Sequence, residues 1–345
     1  MVNPSDTPQA SPSSPPEQII PPRFIQLVKE IDRGATGCVW LCRDTRVQVA
    51  GKEAVAVKFI RRGSVDERVK RELLIVRKLY HRHIALFREA VLGPTHLCLL
   101  FDFVPGGNLE SYLKSMGGIL PEYIARFIFQ QLVLAVDFCH QVPPDGIMNR
   151  DLKLNNVLVE NPKEQFPHIV LCDFGFGKES GAEPTISHLG TKNYAAPEII
   201  WRSSRNNRYD GKKTDIYCLG ICLHRMVLGA FPKHPEAGEG QPSSAEERLR
   251  RMGLELHGDL RVLHGSPQLA ALLTGLLQPN PAYRFTMEDV WRDPWFQTEL
   301  PVNDDGSPVR SYNTAMLAFH AQGTHLQDGQ TEEDLRRMVE EARAA

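Results

Sequence analysis

Ile147-Met148-Asn149-Arg150-Asp151-Leu152-Lys153-Leu154-Asn155-Asn156-Val157-Leu158, followed by Val170-Leu171-Cys172-Asp173-Phe174-Gly175, is the stretch on which the reading of the chain turns. It sets a carboxylate beside an arginine, a cation two residues on, an amide five residues on, and a second carboxylate after a short apolar run. Asp, Asn and Lys are ordinary loop residues, so either piece alone reads equally well as a charged turn between apolar strands. Joined at this spacing they no longer read as an ordinary charged turn.

The spacing resembles the catalytic and metal-binding loops of a protein kinase. Phosphoryl transfer needs a carboxylate to orient the attacking hydroxyl and accept its proton, and an amide oxygen plus a carboxylate to hold Mg²⁺ at the phosphates. The resemblance gives Asp151 the first role, Asn156 and Asp173 the metal, and Lys153 a place beside the transferred group, where charge develops. It implies an α+β, two-lobed fold with a β-rich N-terminal lobe and a helical C-terminal lobe.

Composition is compatible with that reading. At 345 residues the chain can bury a large core or two lobes, and 42% apolar with 24% charged residues is ordinary for a globular protein. No apolar run is long enough for a membrane span, and Met1-Val2-Asn3-Pro4 does not begin a signal peptide. Seven scattered Cys favour reduced thiols inside a cell, with a cytoplasmic and nuclear location expected. A formal charge of -2 gives no electrostatic case for nucleic acid, so neither nucleic acid nor membrane is expected as a partner.

Residues 1 to 22, rich in Pro and Ser, read as a disordered leader, and the kinase resemblance places a domain over 23 to 296. Within it the N-lobe is expected over 23 to 101, the hinge over 102 to 107 and the C-lobe over 108 to 296. Phe24 to Lys29, Gly37 to Arg43 and Ala54 to Ile60 read as short strands, and strands near Ala85 to Ala90 and His96 to Phe101 complete a five-stranded sheet. The turn Asp32-Arg33-Gly34-Ala35-Thr36-Gly37-Cys38-Val39 sits where a kinase lays Gly-rich backbone over ATP phosphates. Asp32 replaces the first Gly, adding a negative charge near a polyphosphate, while Gly34 and Gly37 keep the turn and Val39 follows it.

Alternation in Val55-Ala56-Val57-Lys58 puts Ala56 and Lys58 on one strand face, Ala56 beside adenine and Lys58 toward the phosphates by resemblance. Glu72, inside a helical pattern from about Val65 to Leu79, takes the place of the lysine's carboxylate partner. The hinge Asp102-Phe103-Val104-Pro105-Gly106-Gly107 implies adenine contacts from the backbone of Asp102 and Val104, with Phe101 behind them and Leu158 lining the cleft.

Asn149 stands where most kinases have His before Arg-Asp, and keeps donor and acceptor groups without the ring. Arg150 by resemblance reads a phosphate on the activation segment, which runs from Asp173 to Glu198. Its close, Gly190-Thr191-Lys192-Asn193-Tyr194-Ala195-Ala196-Pro197-Glu198, resembles that of Ser/Thr kinases, with Thr191 and Lys153 pointing to Ser or Thr acceptors and Lys192 replacing a usual Pro. Ser187 takes the activating phosphosite position, ahead of Thr185 and Ser180. Asp215 is expected as a buried acceptor for catalytic-loop N–H groups, and Arg284 as the buried partner of Glu198.

Tyr209-Asp210-Gly211-Lys212, Gly229-Ala230-Phe231-Pro232 and Asp293-Pro294-Trp295-Phe296 look like the plant stress-activated branch of the sucrose-non-fermenting-related Ser/Thr kinases. The likeness covers about residues 24 to 296. Tyr217 and Cys218 stand in place of that group's Trp-Ser, and residues 238 to 256 diverge. Residues 297 to 329 read as a linker. From Gln330 to Arg343 the chain reads as an amphipathic helix capped by Thr331 and Asp334, its stripe made of Leu335, Met338, Val339 and Ala342. That resembles the subfamily's regulatory helix, which packs on the helix bearing the glutamate equivalent to Glu72. The implied activity is an ATP- and Mg²⁺-dependent protein Ser/Thr kinase in stress signalling, acting on protein substrates under an upstream kinase and a phosphatase. A nucleotide-binding pseudokinase or scaffold and another ATP-dependent transferase stay open beside it.

Overall fold

The computed structural model describes residues 19–34, 37–49, 51–175, 177–179, 193–200, 209–232, 247, 252–253, 256, 260–263, 265–321 and 330–344. Strands β1 (Ile25–Gly34), β2 (Gly37–Asp44), β3 (Ala54–Arg61), β4 (Phe87–Leu92) and β5 (His96–Asp102) form an antiparallel sheet ordered β1-β2-β3-β5-β4. Side chains alternate across it as a period of two requires. Val55, Val57 and Phe59 of β3 are buried in a cluster with Ile25, Cys38, Cys42, Cys98 and Leu100. Ala56 and Lys58 alternate to the opposite face. The first strand runs to Gly34, past the expected Lys29, and absorbs two register shifts on the way.

Helix α1 (Glu67–Val76) crosses the sheet, with the Asp66 side chain accepting from the Arg68 and Val69 N–H groups at its start. The C-terminal lobe is built on α2 (Leu109–Ser115) and the long α3 (Glu122–Gln141). Beside them lie the short strands β6 (Ile147–Met148), β7 (Val157–Val159), β8 (Ile169–Leu171) and β9 (Lys178–Glu179), followed by α4 (Pro197–Ile200) and α5 (Gly211–Leu228). Then come α6 (Pro267–Leu276), α7 (Met287–Arg292) and α8 (Pro294–Gln297). One large apolar cluster joins α3, α5, α6 and Trp295 to Leu152, Leu154 and Phe174 of the loops between the lobes. Gly106 ties the hinge to this lobe: its N–H donates to the Val159 carbonyl, and a Cβ there would sit 2.2 Å from that oxygen. Among the described residues no helix is long and apolar enough to cross a membrane.

Two expectations need correction. The stretch 297 to 329, read as a linker, holds helix α9 (Arg310–Ala321), whose Asn313 is buried. A polar, Gly- and Pro-containing approach from 301 to 309 obscured the short period that follows it. The expected leader also ends early. Ile19 packs on the outer face of the sheet and the Ile20 N–H donates to Thr95 Oγ1 at 3.2 Å, so the chain is attached before residue 23. The last element, α10 (Glu332–Arg343), opens with a full capping box between Thr331 and Asp334. Leu335, Val339 and Ala342 are fully buried, and Met338 partly, against Val65, Val69 and Leu73 of the α1 region and against Ala90, Leu97 and Leu99 of the sheet. Gln330 pairs its side-chain amide with both the N–H and the carbonyl of Ala90.

Candidate active site

Lys58 and Glu72 meet at 2.5 Å, with Lys58 coming from the inner face of β3 and Glu72 from the second turn of α1. Burial works against the Lys58 ammonium, but Glu72 and then Asp173 outweigh it and hold its pKa above the ordinary range. Val39 of β2 lies opposite Lys58 in register, and Ala56 lies between Leu41 and Phe101. The Phe101 ring sits edge-on to Phe87, with centroids 5.6 Å apart. At the turn between β1 and β2, Gly34 pairs with Gly37, and a Cβ on Gly37 would lie 2.1 Å from the Phe59 carbonyl oxygen. That close approach explains the glycine. Asp32 is exposed and accepts the Arg33 N–H at 2.8 Å, a local turn-type contact.

Across the cleft, Asp151 is buried and closely held. Lys153 Nζ donates to its Oδ2 at 2.7 Å and Asn156 Nδ2 at 3.1 Å, while its own N–H donates to Asn149 Oδ1 at 3.1 Å. Burial pushes the Asp151 pKa up, Lys153 opposes this, and the Asp173 carboxylate adds to it. Asn149 Nδ2 also reaches the Asp173 carbonyl at 3.3 Å, so the amide links the two loops from the position usually taken by a ring. Asp173 has φ 59 and accepts the Gly175 N–H at 3.0 Å. Leu158, on β7, bridges to Asn108 beside the hinge. Asp102 ends β5, its N–H donating to the Leu86 carbonyl and its carboxylate meeting Arg88 at 2.5 Å; Val104 follows it in the hinge.

The loop geometry is imposed from below. Fully buried Asp215 accepts from the N–H groups of Asn149 and Arg150, each at 2.9 Å, and contacts His140 Nε2 at 2.9 Å. Those bonds hold Arg150 at φ 67, a conformation that costs a non-glycine residue about 1–3 kcal/mol. Arg284, with a fully buried side chain, forks onto Glu198 at 2.7 and 2.9 Å, and its remaining N–H groups go to the carbonyls of Gln278, Lys213 and Pro279. Tyr217 lies under that guanidinium, with the ring centroid 4.9 Å away, so it fills the Trp place with a smaller aromatic plate. Arg150 is buried near Tyr209, and among the described residues its Nε and Nη2 have no hydrogen-bond partner. Thr191, Ser187, Thr185, Ser180 and Lys192 lie outside the described residues.

Some residues the sequence reading passed over contribute as well. His140, Gln130, Gln131 and Asp137 are buried polar groups on α3, whose other buried residues are apolar. Gln131 accepts the Ile169 N–H at 3.0 Å and so fixes the strand that leads to Asp173. Their signal was their polarity inside an apolar helix.

A family model described as protein kinase domain matches residues 25–296. The chain belongs to the protein kinase family. This kinase is similar to the serine/threonine-protein kinase SAPK9 of Oryza sativa subsp. japonica, at 36% identity over 83% of this chain and 76% of the relative. It is similar to SRK2E of Arabidopsis thaliana at 33% over 92% of this chain and 81% of the relative. A moss relative, SRK2A of Physcomitrium patens, matches at 35% over 84% and 78%.

The donor set suits the ligands a kinase needs. Asn156 spends its amide N–H groups on Asp151, which leaves its side-chain oxygen for a metal ligand, and the Asp173 carboxylate follows 17 residues on in the same pair of loops. Among the described residues no group of three His, Cys, Asp or Glu could hold a metal. Two oxygen donors fit Mg²⁺, which takes its remaining ligands from phosphate and water.

Proposed function

We propose that this kinase transfers the γ-phosphoryl group of ATP to Ser or Thr hydroxyls of protein substrates, as in plant stress signalling. The observation that carries the reading is the 2.5 Å Lys58–Glu72 pair standing in the same cleft as the Asp151, Lys153 and Asn156 cluster. The adenine would lie between Ala56 and Leu158 at the hinge backbone of Asp102 and Val104, under the turn of Asp32, Gly34, Gly37 and Val39. Lys58, fixed by Glu72, places its ammonium at the phosphates. When bound, Mg²⁺ held by Asn156 and Asp173 neutralises phosphate charge. Asp151 orients the acceptor hydroxyl and takes its proton, and Lys153 counters the charge that builds on the transferred group.

Regulation fits the same geometry. Among the described residues the buried Nε and Nη2 of Arg150 have no acceptor, and a phosphate on Ser187, added by an upstream kinase and removed by a phosphatase, would supply one. Thr191 completes the acceptor side. Glu198 and Arg284 hold the end of the segment, and Leu335, Met338 and Val339 brace α1 from behind. The relatives are named serine/threonine-protein kinases, which supports a Ser/Thr acceptor.

The test is transfer from Mg²⁺-ATP to a panel of Ser/Thr peptides by the full chain, unphosphorylated and phosphorylated at Ser187, against Asp151→Asn. Asp151-dependent transfer that rises on Ser187 phosphorylation is expected. Nucleotide binding with no Asp151-dependent transfer in either form would replace the enzyme with a nucleotide-binding scaffold.

A further inference from the structure

Helix α9 ties α3 to the loop that follows α1. Asn313 is 1% exposed, receives His81 Nε2 on its oxygen at 3.1 Å, and donates its amide N–H groups to the Leu134 carbonyl at 3.0 Å and Asp137 Oδ2 at 3.2 Å. The tautomer follows from the partners: His83 N–H donates to His81 Nδ1 at 3.1 Å, so the proton sits on Nε2, facing Asn313. Burial pushes the His81 pKa down to about 3, so the ring is neutral and this is its only N–H. Tyr312 adds two grips. Its hydroxyl accepts the Arg82 N–H at 3.1 Å, and the Arg82 guanidinium lies 4.3 Å over its ring. Further along the helix, Phe319 meets Tyr80 with ring centroids 5.6 Å apart.

The gripped loop is joined at both ends to the cleft. At its start it leaves the helix that bears Glu72. At its end it lies along β8: the Leu171 N–H donates to the His83 carbonyl at 2.8 Å, the Ala85 N–H donates to the Leu171 carbonyl at 2.9 Å, and Ile84 bridges Leu171. Asp173 is two residues beyond Leu171. A run of hydrogen bonds therefore leads from Asn313 through His81 and His83 to β8, the strand that leads into Asp173.

We propose that Asn313 is a positioning residue for catalysis: by fixing His81 it seats residues 81 to 85 against β8 and so sets Asp173 and the base of the Glu72 helix. A buried amide with every polar group matched specifies one seating, and a truncated partner leaves the others unpaired in the interior. This rests on the assignment of Asp173 to the metal–nucleotide complex.

The test uses the full chain and Asn313→Ala. Amide exchange in nucleotide-free protein is expected to quicken about tenfold at Ala85 and Leu171, with the α6 core unchanged. The apparent affinity for Mg²⁺-ATP is expected to weaken about fivefold while KM for the peptide stays within about twofold. His81→Gln, which keeps a donor toward Asn313, is expected to track the unmodified protein, and His81→Leu to track Asn313→Ala. If Asn313→Ala does not fold, Tyr312→Phe, which removes only the acceptor for Arg82, is expected to show the same changes at about twofold. A lowered melting temperature with exchange at Ala85 and Leu171 and Mg²⁺-ATP affinity both unaltered would overturn the inference and leave Asn313 as a structural residue. Absence of Mg²⁺-dependent transfer in the unmodified protein would instead overturn the role of Asp173.

Discussion

On its cleft side, helix α1 presents Glu72 to Lys58 across 2.5 Å, whereas on its outer side Val69 and Leu73 share an apolar cluster with Leu335, Val339 and Ala342. The two contacts hold the same helix by opposite means. A buried ion pair loses in desolvation much of what it gains in attraction, so it places charges well and stabilises weakly. The apolar contact has the reverse character. Full burial of Leu335 and Val339 contributes about 1.5–3 kcal/mol each before ordering costs, and nothing in it is directional. Its rim supplies direction instead: Lys70 meets Glu340 at 3.2 Å, Arg343 meets Glu67 at 2.8 Å, and the Gly63 N–H donates to the Ala342 carbonyl at 2.7 Å. These exposed pairs orient more than they stabilise. On the proposed reading the chemistry depends on one face of α1 and its placement on the other.

The largest separation of the two faces is expected from Lys58→Met, which should lower turnover roughly 10²–10³-fold, since it removes a positioned charge at the phosphates. The fold should survive it. Burial already raises the Glu72 pKa, so the abandoned carboxyl takes a proton instead of staying charged. Circular dichroism and a melting curve beside the rate measurement check both halves, and a collapsed fold would break the contrast. Leu335→Ala attacks the other face: a loss of about 2–5 kcal/mol in the contact is expected, with turnover down about tenfold and peptide KM little changed. Turnover unmoved by a variant whose α10 amides exchange freely would show that the outer contact is not needed for catalysis.

How far each face could be read beforehand follows from the same difference. That Lys58, Glu72, Asp151, Asn156 and Asp173 would gather at one cleft was legible because the roles proposed for them require particular functional groups at particular separations. The α10 stripe was legible as a period, and Thr331 and Asp334 marked its start. Helix α9 was not, since the one residue it buries fully is an Asn, and the partners that hold that Asn and Tyr312 (His81, Arg82, Leu134 and Asp137) are far away in sequence. His140 and Gln131 escaped for the same reason. Residue identity announces a group that performs chemistry, but a group that only joins two segments is announced by its surroundings.

A smaller effect concerns pH. Asp151 must be ionised to accept a proton, and burial raises its pKa above the ordinary 3.8, so activity should fall with acidification at a higher pH than an unperturbed aspartate would give. Lys153 opposes that shift. Lys153→Ala removes the opposition, and the acid limb of log kcat/KM is expected to move to higher pH; a limb that stays in place or moves lower would separate Asp151 from the observed titration. The smallest changes, about two- to threefold, are expected from Asp32→Gly as tighter ATP binding and from Asn149→His as faster turnover, because each alters a neighbour of the transfer residues and none of them directly. Titration calorimetry and steady-state rates measured separately for each variant would show whether either position tunes the cleft.

The pairing of Gln330 with Ala90 bears on solubility as well as on activity. Strand β4 is the last in the sheet order, so without a cap the outward N–H and carbonyl of Ala90 would be left for a strand from another molecule. The Gln330 side chain offers one amide to both, at 3.0 and 2.8 Å, and closes that edge as a single rung of β-structure would. A chain that loses its last turns is then expected to be a weaker enzyme and a stickier one, with light scattering on concentration, for Gln330→Ala against the unmodified protein, separating the second defect from the first.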